Sequence, residues 1–93
     1  MSVTRINEFV ALDGRAGTLK ALLRDAAESL ALMDSCIEAQ VLQSQDDPSR
    51  IVVLEVWTSA EAHRAAAEMI PSERLSRVME LLAKPPKGEY FND

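Results

Sequence analysis

The segment IVVLEVWTSAEAH, from Ile51 to His63, constrains the predicted architecture of this chain most strongly. Its first seven residues are β-branched or otherwise apolar except for Glu55, and this composition is typical of a strand. Because side chains alternate along a strand, both faces of this segment are apolar. A strand with one solvated face alternates apolar and polar residues instead. The segment therefore predicts a strand that is covered on both faces.

The residues on either side of this strand predict the rest of the domain. Strands are predicted at residues 3–12, 36–44, 51–57 and 88–92, which are rich in β-branched or aromatic residues or alternate apolar with polar ones. Helices are predicted at residues 15–33, 58–69 and 71–83, mostly because apolar residues recur there every three or four positions. We expect Thr58 to cap the second helix through a capping box with Glu61. The order β-α-β-β-α-α-β predicts one α+β domain, residues 1–93, with a ferredoxin-like split βαβ fold.

The helices of such a fold cover one face of an antiparallel sheet and leave the other face bare. The alternation predicts that Trp57 faces the helices, whereas Val52, Leu54 and Val56 face away from them. A chain of 93 residues has no second layer for that side. We therefore expect a homodimer in which two sheets pack face to face. The alternative is that a long loop or the C-terminal tail covers these residues.

Composition and charge exclude several classes of function. The formal net charge is −5 and no basic stripe is visible, which argues against binding to nucleic acid or to an anionic membrane. No apolar run reaches the roughly 18 residues of a transmembrane span, and the N-terminus lacks a signal-peptide core. One cysteine and one histidine make a metal site unexpected. The unpaired Cys36 fits a reducing cytoplasm, and we expect a cytoplasmic protein without a metal or cofactor.

The run DDPSRIVVLEVWTSAEAH, residues 46–63, resembles the antibiotic biosynthesis monooxygenase-like domains of the dimeric α+β barrel superfamily. Those domains show a polar Asp-Asp-Pro turn, a strand that ends in Glu-x-Trp, and a helix with a small or polar cap. The matching residues are Asp46-Asp47-Pro48, then Glu55 and Trp57, then the segment from Ser59 to His63. The resemblance implies a dimeric α+β barrel and a cofactor-free monooxygenase, or a related isomerase, acting on a small aromatic or enolisable metabolite.

Two departures from the family pattern bear on the function. Many relatives have a histidine nine residues after the tryptophan, where this chain has Ala66. This difference favours an alternative function as a non-catalytic module for ligand binding or dimerisation. The haem-degrading branch shares an asparagine at the position of Asn7, but its helical tryptophan and later histidine correspond to Ala66 and Ser76. Haem binding is therefore the weakest option.

His63, Asn7 and Trp57 are the candidate catalytic residues. An imidazole titrates near pH 6.5, about where a general base is needed. The amide of Asn7 can donate a hydrogen bond to a carbonyl or enolate oxygen. Trp57 offers an apolar wall and one N–H donor for a planar ligand. The alternatives are a helix histidine packed against alanines and a tryptophan that only anchors the core.

Glu55, Ala66 and Tyr90 are the candidate substrate-binding residues. Glu55 shares a face with Trp57, so we expect its carboxylate to be paired with Arg5, Arg64 or Arg74, because burying it alone is costly. Alternatively, burial raises its pKa and it acts as a base. The small side chain of Ala66 leaves volume beside His63, and Tyr90 is a further donor. Otherwise Tyr90 only covers the edge of the core.

Overall fold

A computed structural model describes residues 2–93. Within that range the chain forms four strands and three helices, namely β1 (Val3–Val10), α1 (Ala16–Ala31), β2 (Cys36–Gln43), β3 (Arg50–Trp57), α2 (Ala60–Glu68), α3 (Ser72–Glu80) and β4 (Lys87–Phe91). The strands form one antiparallel sheet in the order β2-β3-β1-β4. The predicted α+β fold of the ferredoxin-like type is confirmed.

The ends of the first strand and helix differ by a few residues from the prediction. β1 ends at Val10, and Ala11 pairs instead with Leu82 after α3. The predicted turn follows, in which Gly14 has a φ of 76°, a conformation that favours glycine. α1 then begins at Ala16 and buries an apolar stripe that includes Leu19 and Leu23.

The predicted capping box at Thr58 is wrong by one residue. Ser59 is the N-cap of α2, and its hydroxyl accepts a hydrogen bond of 3.0 Å from the amide of Ala62. The amide of Thr58 donates to the carbonyl of Ser35 at 3.0 Å, so Thr58 is held beside the residue that precedes β2. The helix therefore begins one residue later, and Glu61 lies too early in the helix to complete a capping box.

The central strand β3 has the two faces that the alternation predicts. Ile51, Val53, Glu55 and Trp57 are all buried on the face that the helices cover. The opposite face carries Val52, Leu54 and Val56, which are half-buried. The tryptophan is fully buried at the end of the strand, where the chain turns into α2. The sheet therefore has one dry face and one face without a helix.

The helix-free face of the sheet is apolar at its centre. Ile6 of β1 lies opposite Leu54 of β3 in the antiparallel register. Leu42 of β2 and Phe91 of β4 are on the same face and are 47% and 41% exposed.

No helix of the described residues is both long and apolar enough to cross a bilayer.

The core of the described part contains two clusters of buried side chains. One cluster packs α1 and α3 against the sheet, and its members are Phe9, Ala11, Leu19, Leu23, Ile51, Val53 and Val78. The other packs α2 against the opposite end of the sheet, and its members are Val3, Cys36, Trp57 and Ala66. The space between sheet and helices is not completely filled by these clusters, and members of both line a cavity.

Candidate functional site

A cavity of about 280 Å³ lies between the sheet and the helices. Its walls are mostly apolar and include Leu23 of α1, Ala67 of α2 and Val78 of α3. A dry cavity of about 150 Å³ holds one benzene molecule, and most ligand pockets measure about 300–1,000 Å³. The cavity therefore has room for a small ligand of roughly two fused rings.

The polar side chains that line the cavity come mainly from the sheet. They are Arg5, Asn7, Glu55, His63 and Arg74. Leu75 and Met79 of α3 also line it, although they are 49% and 52% exposed. The cavity therefore opens to solvent beside α3, and its polar groups lie on the walls of an apolar chamber.

His63 lies in the second turn of α2 and is held by two neighbours. Its Nδ1 is 2.6 Å from the hydroxyl of Tyr90, and its Nε2 is 3.9 Å from Oε1 of Glu55. The ring also packs edge-on against Trp57, with 5.5 Å between the ring centroids. The cap at Ser59 sets the start of the helix and so fixes the position of His63 above the end of β3.

The imidazole of His63 favours its neutral form. Burial lowers its pKa below the ordinary 6.5, and the charges of Arg5 and Arg64 lower it further. In the tautomer with the proton on Nδ1, the ring donates a hydrogen bond to Tyr90 and keeps the Nε2 lone pair free. In this form the side chain can accept a proton near pH 7.

Glu55 is buried, and its predicted ion pair with an arginine is wrong. Its Oε1 accepts a hydrogen bond of 2.8 Å from Nε1 of Trp57. Burial raises the pKa of the carboxyl, while the bond from Trp57 and the charge of Arg5 partly oppose that rise. Of the two expectations for this residue, the raised pKa is the one that the structure supports.

The direction of the Arg5 side chain explains why the ion pair is missing. Arg5 in β1 lies between Glu55 of β3 and Tyr90 of β4 in the register of the sheet. Its guanidinium carbon lies 4.8 Å from the centroid of the Tyr90 ring. A side chain on Gly88 would collide with this guanidinium, so the glycine makes room for it. Arg5 therefore leans toward β4 and away from Glu55.

Trp57 and Asn7 reach the cavity in different ways. The indole ring of Trp57 forms part of the wall, but its N–H is donated to Glu55, so the expected bond from this N–H to a ligand is not supported. Asn7 lies opposite Gly88 on the helix-facing side of β1. Among residues 2–93 its amide has no hydrogen-bond partner, so it is free to bind a ligand oxygen.

Tyr90 and Ala66 lie beside the cavity but do not line it. Tyr90 reaches the site through its hydrogen bond to His63. Ala66 is only 2% exposed and packs with Trp57 in the second core cluster, whereas the next residue, Ala67, lines the cavity. The cavity thus brings together His63, Asn7, Trp57 and Glu55.

Two arginines of the cavity were not identified as ligand-binding residues from the sequence. The sequence predicts Arg5 as a partner for Glu55, and its position two residues before Asn7 also places both polar side chains on the face of Phe9. Arg74 follows the helix break at Pro71, and its orientation toward the cavity depends on how α3 packs. A polar residue on the core-facing side of a strand, such as Arg5, is the sequence signal that indicates a cavity-lining position.

The described residues contain no cluster of three or more His, Cys, Asp or Glu side chains that could hold a metal ion. Cys36 is buried, and burial raises the pKa of its thiol, with the nearby charge of Glu55 adding to the rise. The thiol is therefore a poor nucleophile. The chemistry of the site belongs to the imidazole, the carboxyl, the amide and the arginines.

One comparison with known proteins identifies the family. The model of the antibiotic biosynthesis monooxygenase family matches residues 2–69. No curated protein matches the chain. Three of the solved structures that share the fold are described next.

A conserved protein from Methanosarcina mazei Go1 is 15% identical, with a TM-score of 0.90 over 99% of this chain and 92% of that one. A candidate antibiotic biosynthesis monooxygenase from Nitrosomonas europaea is 22% identical, with a TM-score of 0.91 over 99% and 89%. A variant of SnoaB, a cofactor-independent oxygenase from Streptomyces nogalater, is 20% identical, with a TM-score of 0.84 over 99% and 92%. At these identities the similarity shows the fold alone.

Proposed function

Since the chain belongs to the antibiotic biosynthesis monooxygenase family, we propose that it is a cofactor-independent monooxygenase acting on a small aromatic or enolisable compound. The observation that carries this proposal is an imidazole, His63, on the wall of a mostly apolar cavity of about 280 Å³, where burial lowers its pKa. SnoaB, which has the same fold, is itself described as a cofactor-independent oxygenase. Such chemistry needs a residue that acts as a base, a residue that donates a hydrogen bond to the oxyanion, and a cavity that holds little water.

His63 is the proposed base. Its Nε2 removes a proton from a carbon next to a carbonyl or from a phenolic hydroxyl of the substrate. The imidazolium that forms lies 3.9 Å from Oε1 of Glu55, and an ionised Glu55 stabilises its charge. Tyr90 keeps the ring in the productive orientation through its contact with Nδ1.

Asn7 is the proposed donor to the substrate oxygen that becomes negative. Its amide is without a partner among residues 2–93 and lies in the cavity wall. A donor fixed in a water-poor site stabilises developing charge more strongly than water does, because it needs no reorganisation. Trp57 contributes a flat apolar wall against which an aromatic substrate can pack.

The oxygenation balances without a further reductant. The substrate carbanion reduces dioxygen, a carbon–oxygen bond forms, and the resulting hydroperoxide loses water. For a CH₂ group beside a carbonyl, CH₂ and O₂ give C=O and H₂O, so the substrate supplies all the electrons.

The same base without dioxygen would only move a proton between two positions, which is the isomerase alternative. If no reaction occurs, the cavity serves a non-catalytic binding module.

We also propose that two copies pack through the helix-free faces of their sheets. Val52, Leu54 and Val56 form the apolar centre of that face, and Leu42 and Phe91 extend it. Covering these side chains from water favours a two-fold dimer. The unpaired Cys36 supports the further proposal of a cytoplasmic location.

An oxygen-electrode assay tests the proposed reaction. A panel of naphthols, quinols and anthrones is offered to the protein, and oxygen uptake is compared with the background without protein. We expect His63→Ala to lower the uptake at least about 100-fold, the contribution of a positioned general base. Glu68→Gln, at an exposed position of the same helix, is the matched control and should keep full activity. Uptake by the wild type that survives in His63→Ala would contradict the assigned base.

A further inference from the structure

The charges around the cavity are unbalanced toward the positive. Arg5 and Arg74 line it, and the only carboxylate among the described lining residues is Glu55. With Glu55 ionised and His63 neutral, the lining residues carry one positive charge in excess. With Glu55 protonated, the excess is two. The cavity is therefore electropositive in either state, although the chain as a whole has a net charge of −5.

The guanidinium of Arg5 is incompletely satisfied by the protein. Among residues 2–93 it forms no ion pair, and its Nε is buried without a hydrogen-bond partner. Its contacts are the face of the Tyr90 ring and the backbone at Gly88. Arg5 as a whole is half-buried, so its charge lacks an anionic partner in surroundings where an ion pair is stronger than in bulk water. An anion bound in the cavity would supply that partner.

Arg74 lies at the solvent end of the same cavity. It also lines a polar groove between α1 and α3, so it borders both the cavity and the outside. Neighbouring Leu75 and Met79 are half-exposed and apolar. An anion that enters beside α3 therefore passes one arginine at the opening and meets a second one on the sheet. The groove carries two arginines and two carboxylates, so its charges balance and the preference for an anion comes from inside the cavity.

We propose that the cavity binds a planar aromatic carboxylate, with the ring between the apolar walls and the carboxylate on the arginine side of the chamber. This inference rests on the proposed function, because it takes the cavity as the substrate site. A planar carboxylate matches the fork of a guanidinium, and a volume of about 280 Å³ leaves room for one or two rings beside it. The substrate class is thus narrowed from any enolisable aromatic compound to an acidic one.

Two probes of the same shape separate charge from size. Naphthalene-2-carboxylate and naphthalene-2-carboxamide differ only in charge at pH 7. Their dissociation constants are measured by isothermal titration calorimetry on the wild-type protein in buffer from which dioxygen has been removed. We expect the carboxylate to bind at least about tenfold more tightly, the usual effect of a charge-assisted hydrogen bond. Equal affinities, or no binding of either probe at millimolar concentration, would overturn the proposal.

Variants then assign the preference to the arginines. Arg5→Gln and Arg74→Gln should each reduce the preference for the carboxylate, and the double variant should abolish it. Arg5→Lys should keep part of it. Arg77→Gln removes a charge from the same helix as Arg74 but does not line the cavity, so its preference should equal that of the wild type. A preference that persists in the double variant, with circular dichroism showing a native fold, would also overturn the proposal.

The test is independent of the proposed reaction. If naphthalene-2-carboxylate binds preferentially while no hydroxynaphthoate causes oxygen uptake, the acidic ligand class stands and the monooxygenase proposal fails. If neutral anthrones are oxygenated while the two probes bind equally, the monooxygenase proposal stands and the acidic ligand class fails.

Discussion

The hydroxyl of Tyr90 lies 2.6 Å from Nδ1 of His63, so the last strand of the sheet holds a side chain of α2. The two rings also meet edge to face, with 5.4 Å between their centroids. Arg5 and Arg64 approach the Tyr90 ring, at 4.8 Å and 5.3 Å from its centroid. Tyr90 therefore contacts both the proposed base His63 and the cavity-lining Arg5, and its removal should affect both.

The first prediction concerns Tyr90→Phe. This change removes the hydrogen bond to His63 and leaves the ring stacking. If Nδ1 donates to the tyrosine, the charged imidazolium loses more than the neutral ring does, so the pKa of His63 should fall further. His63 is the chain's only histidine, so its proton NMR titration is unambiguous.

The titration of Tyr90→Phe also tests the tautomer. A rise in the pKa of His63 would mean that the tyrosine donates to Nδ1, and the Nε2 lone pair would then not be free. Stability should fall only by about 0.5–1.5 kcal/mol, the net effect of one hydrogen bond. Glu80→Gln, at an exposed position of α3 and not among the groups that shift the pKa of His63, should leave the titration unchanged.

The second prediction concerns the pH dependence of stability and Glu55→Gln. Burial raises the pKa of Glu55 above its ordinary 4.5, so the folded state binds this proton more tightly than the unfolded state does. The resulting contribution to stability is complete below about pH 4.5 and is lost as the pH rises through the higher folded pKa. Glutamine has no such proton, and its carbonyl still accepts the bond from Trp57.

Thermal unfolding between pH 4 and pH 8 measures this effect. At pH 8, Glu55→Gln should have a higher melting temperature than the wild type. The expected rise is about 4–8 °C for each 1 kcal/mol by which the substitution lowers the cost of burying a charged carboxylate. Its advantage should shrink as the pH falls toward 4.5. The lowered pKa of His63 has the opposite effect on the free energy of unfolding. Its contribution is complete above pH 6.5 and is lost as the pH falls through the lower folded pKa. An advantage for Glu55→Gln that grows with acidity would contradict the raised pKa.

The third prediction uses three consecutive alanines of α2. Ala65 is exposed, Ala66 is buried in the core cluster of Trp57, and Ala67 lines the cavity. Ala66→Leu should destabilise the protein by about 1–3 kcal/mol, because it overfills a packed core. Ala67→Leu should fill part of the cavity and weaken the binding of naphthalene-2-carboxylate, with little loss of stability.

Ala65→Leu is the matched control, since it adds the same side chain to the same helix on the exposed side. It should change neither the melting temperature nor the binding constant. Ligand binding that is unaffected by Ala67→Leu would show that the probe does not occupy the cavity. The comparison needs only calorimetry and thermal unfolding.

The sequence predicted the architecture well because the pattern of β3 constrains it strongly. Its alternation assigned Trp57 and Glu55 to the helix-covered face, which burial confirms. The cap of α2 was misplaced because Thr58 and Ser59 are both good caps, and only the backbone bond from Thr58 to Ser35 decides between them.

Within the site, residue type indicated chemistry, but it did not indicate direction. A buried carboxylate opposite Arg5 in the sheet predicts an ion pair, yet the guanidinium points to Tyr90 and the carboxylate bonds to Trp57. These choices depend on the space that Gly88 leaves beside β1. Such space is a property of the packed fold and has no local sequence signal.

The last prediction tests the proposed dimer through Leu54→Glu. Leu54 lies at the centre of the helix-free face, opposite Ile6. A carboxylate there would be buried without a partner in the dimer, at a cost of about 3–5 kcal/mol, which corresponds to at least a hundredfold weaker association. Size-exclusion chromatography with light scattering should show a dimer for the wild type and a monomer for Leu54→Glu. Ala65→Glu adds the same charge to an exposed helix position and should remain dimeric, whereas a wild type that stays monomeric at high concentration would contradict the proposed dimer.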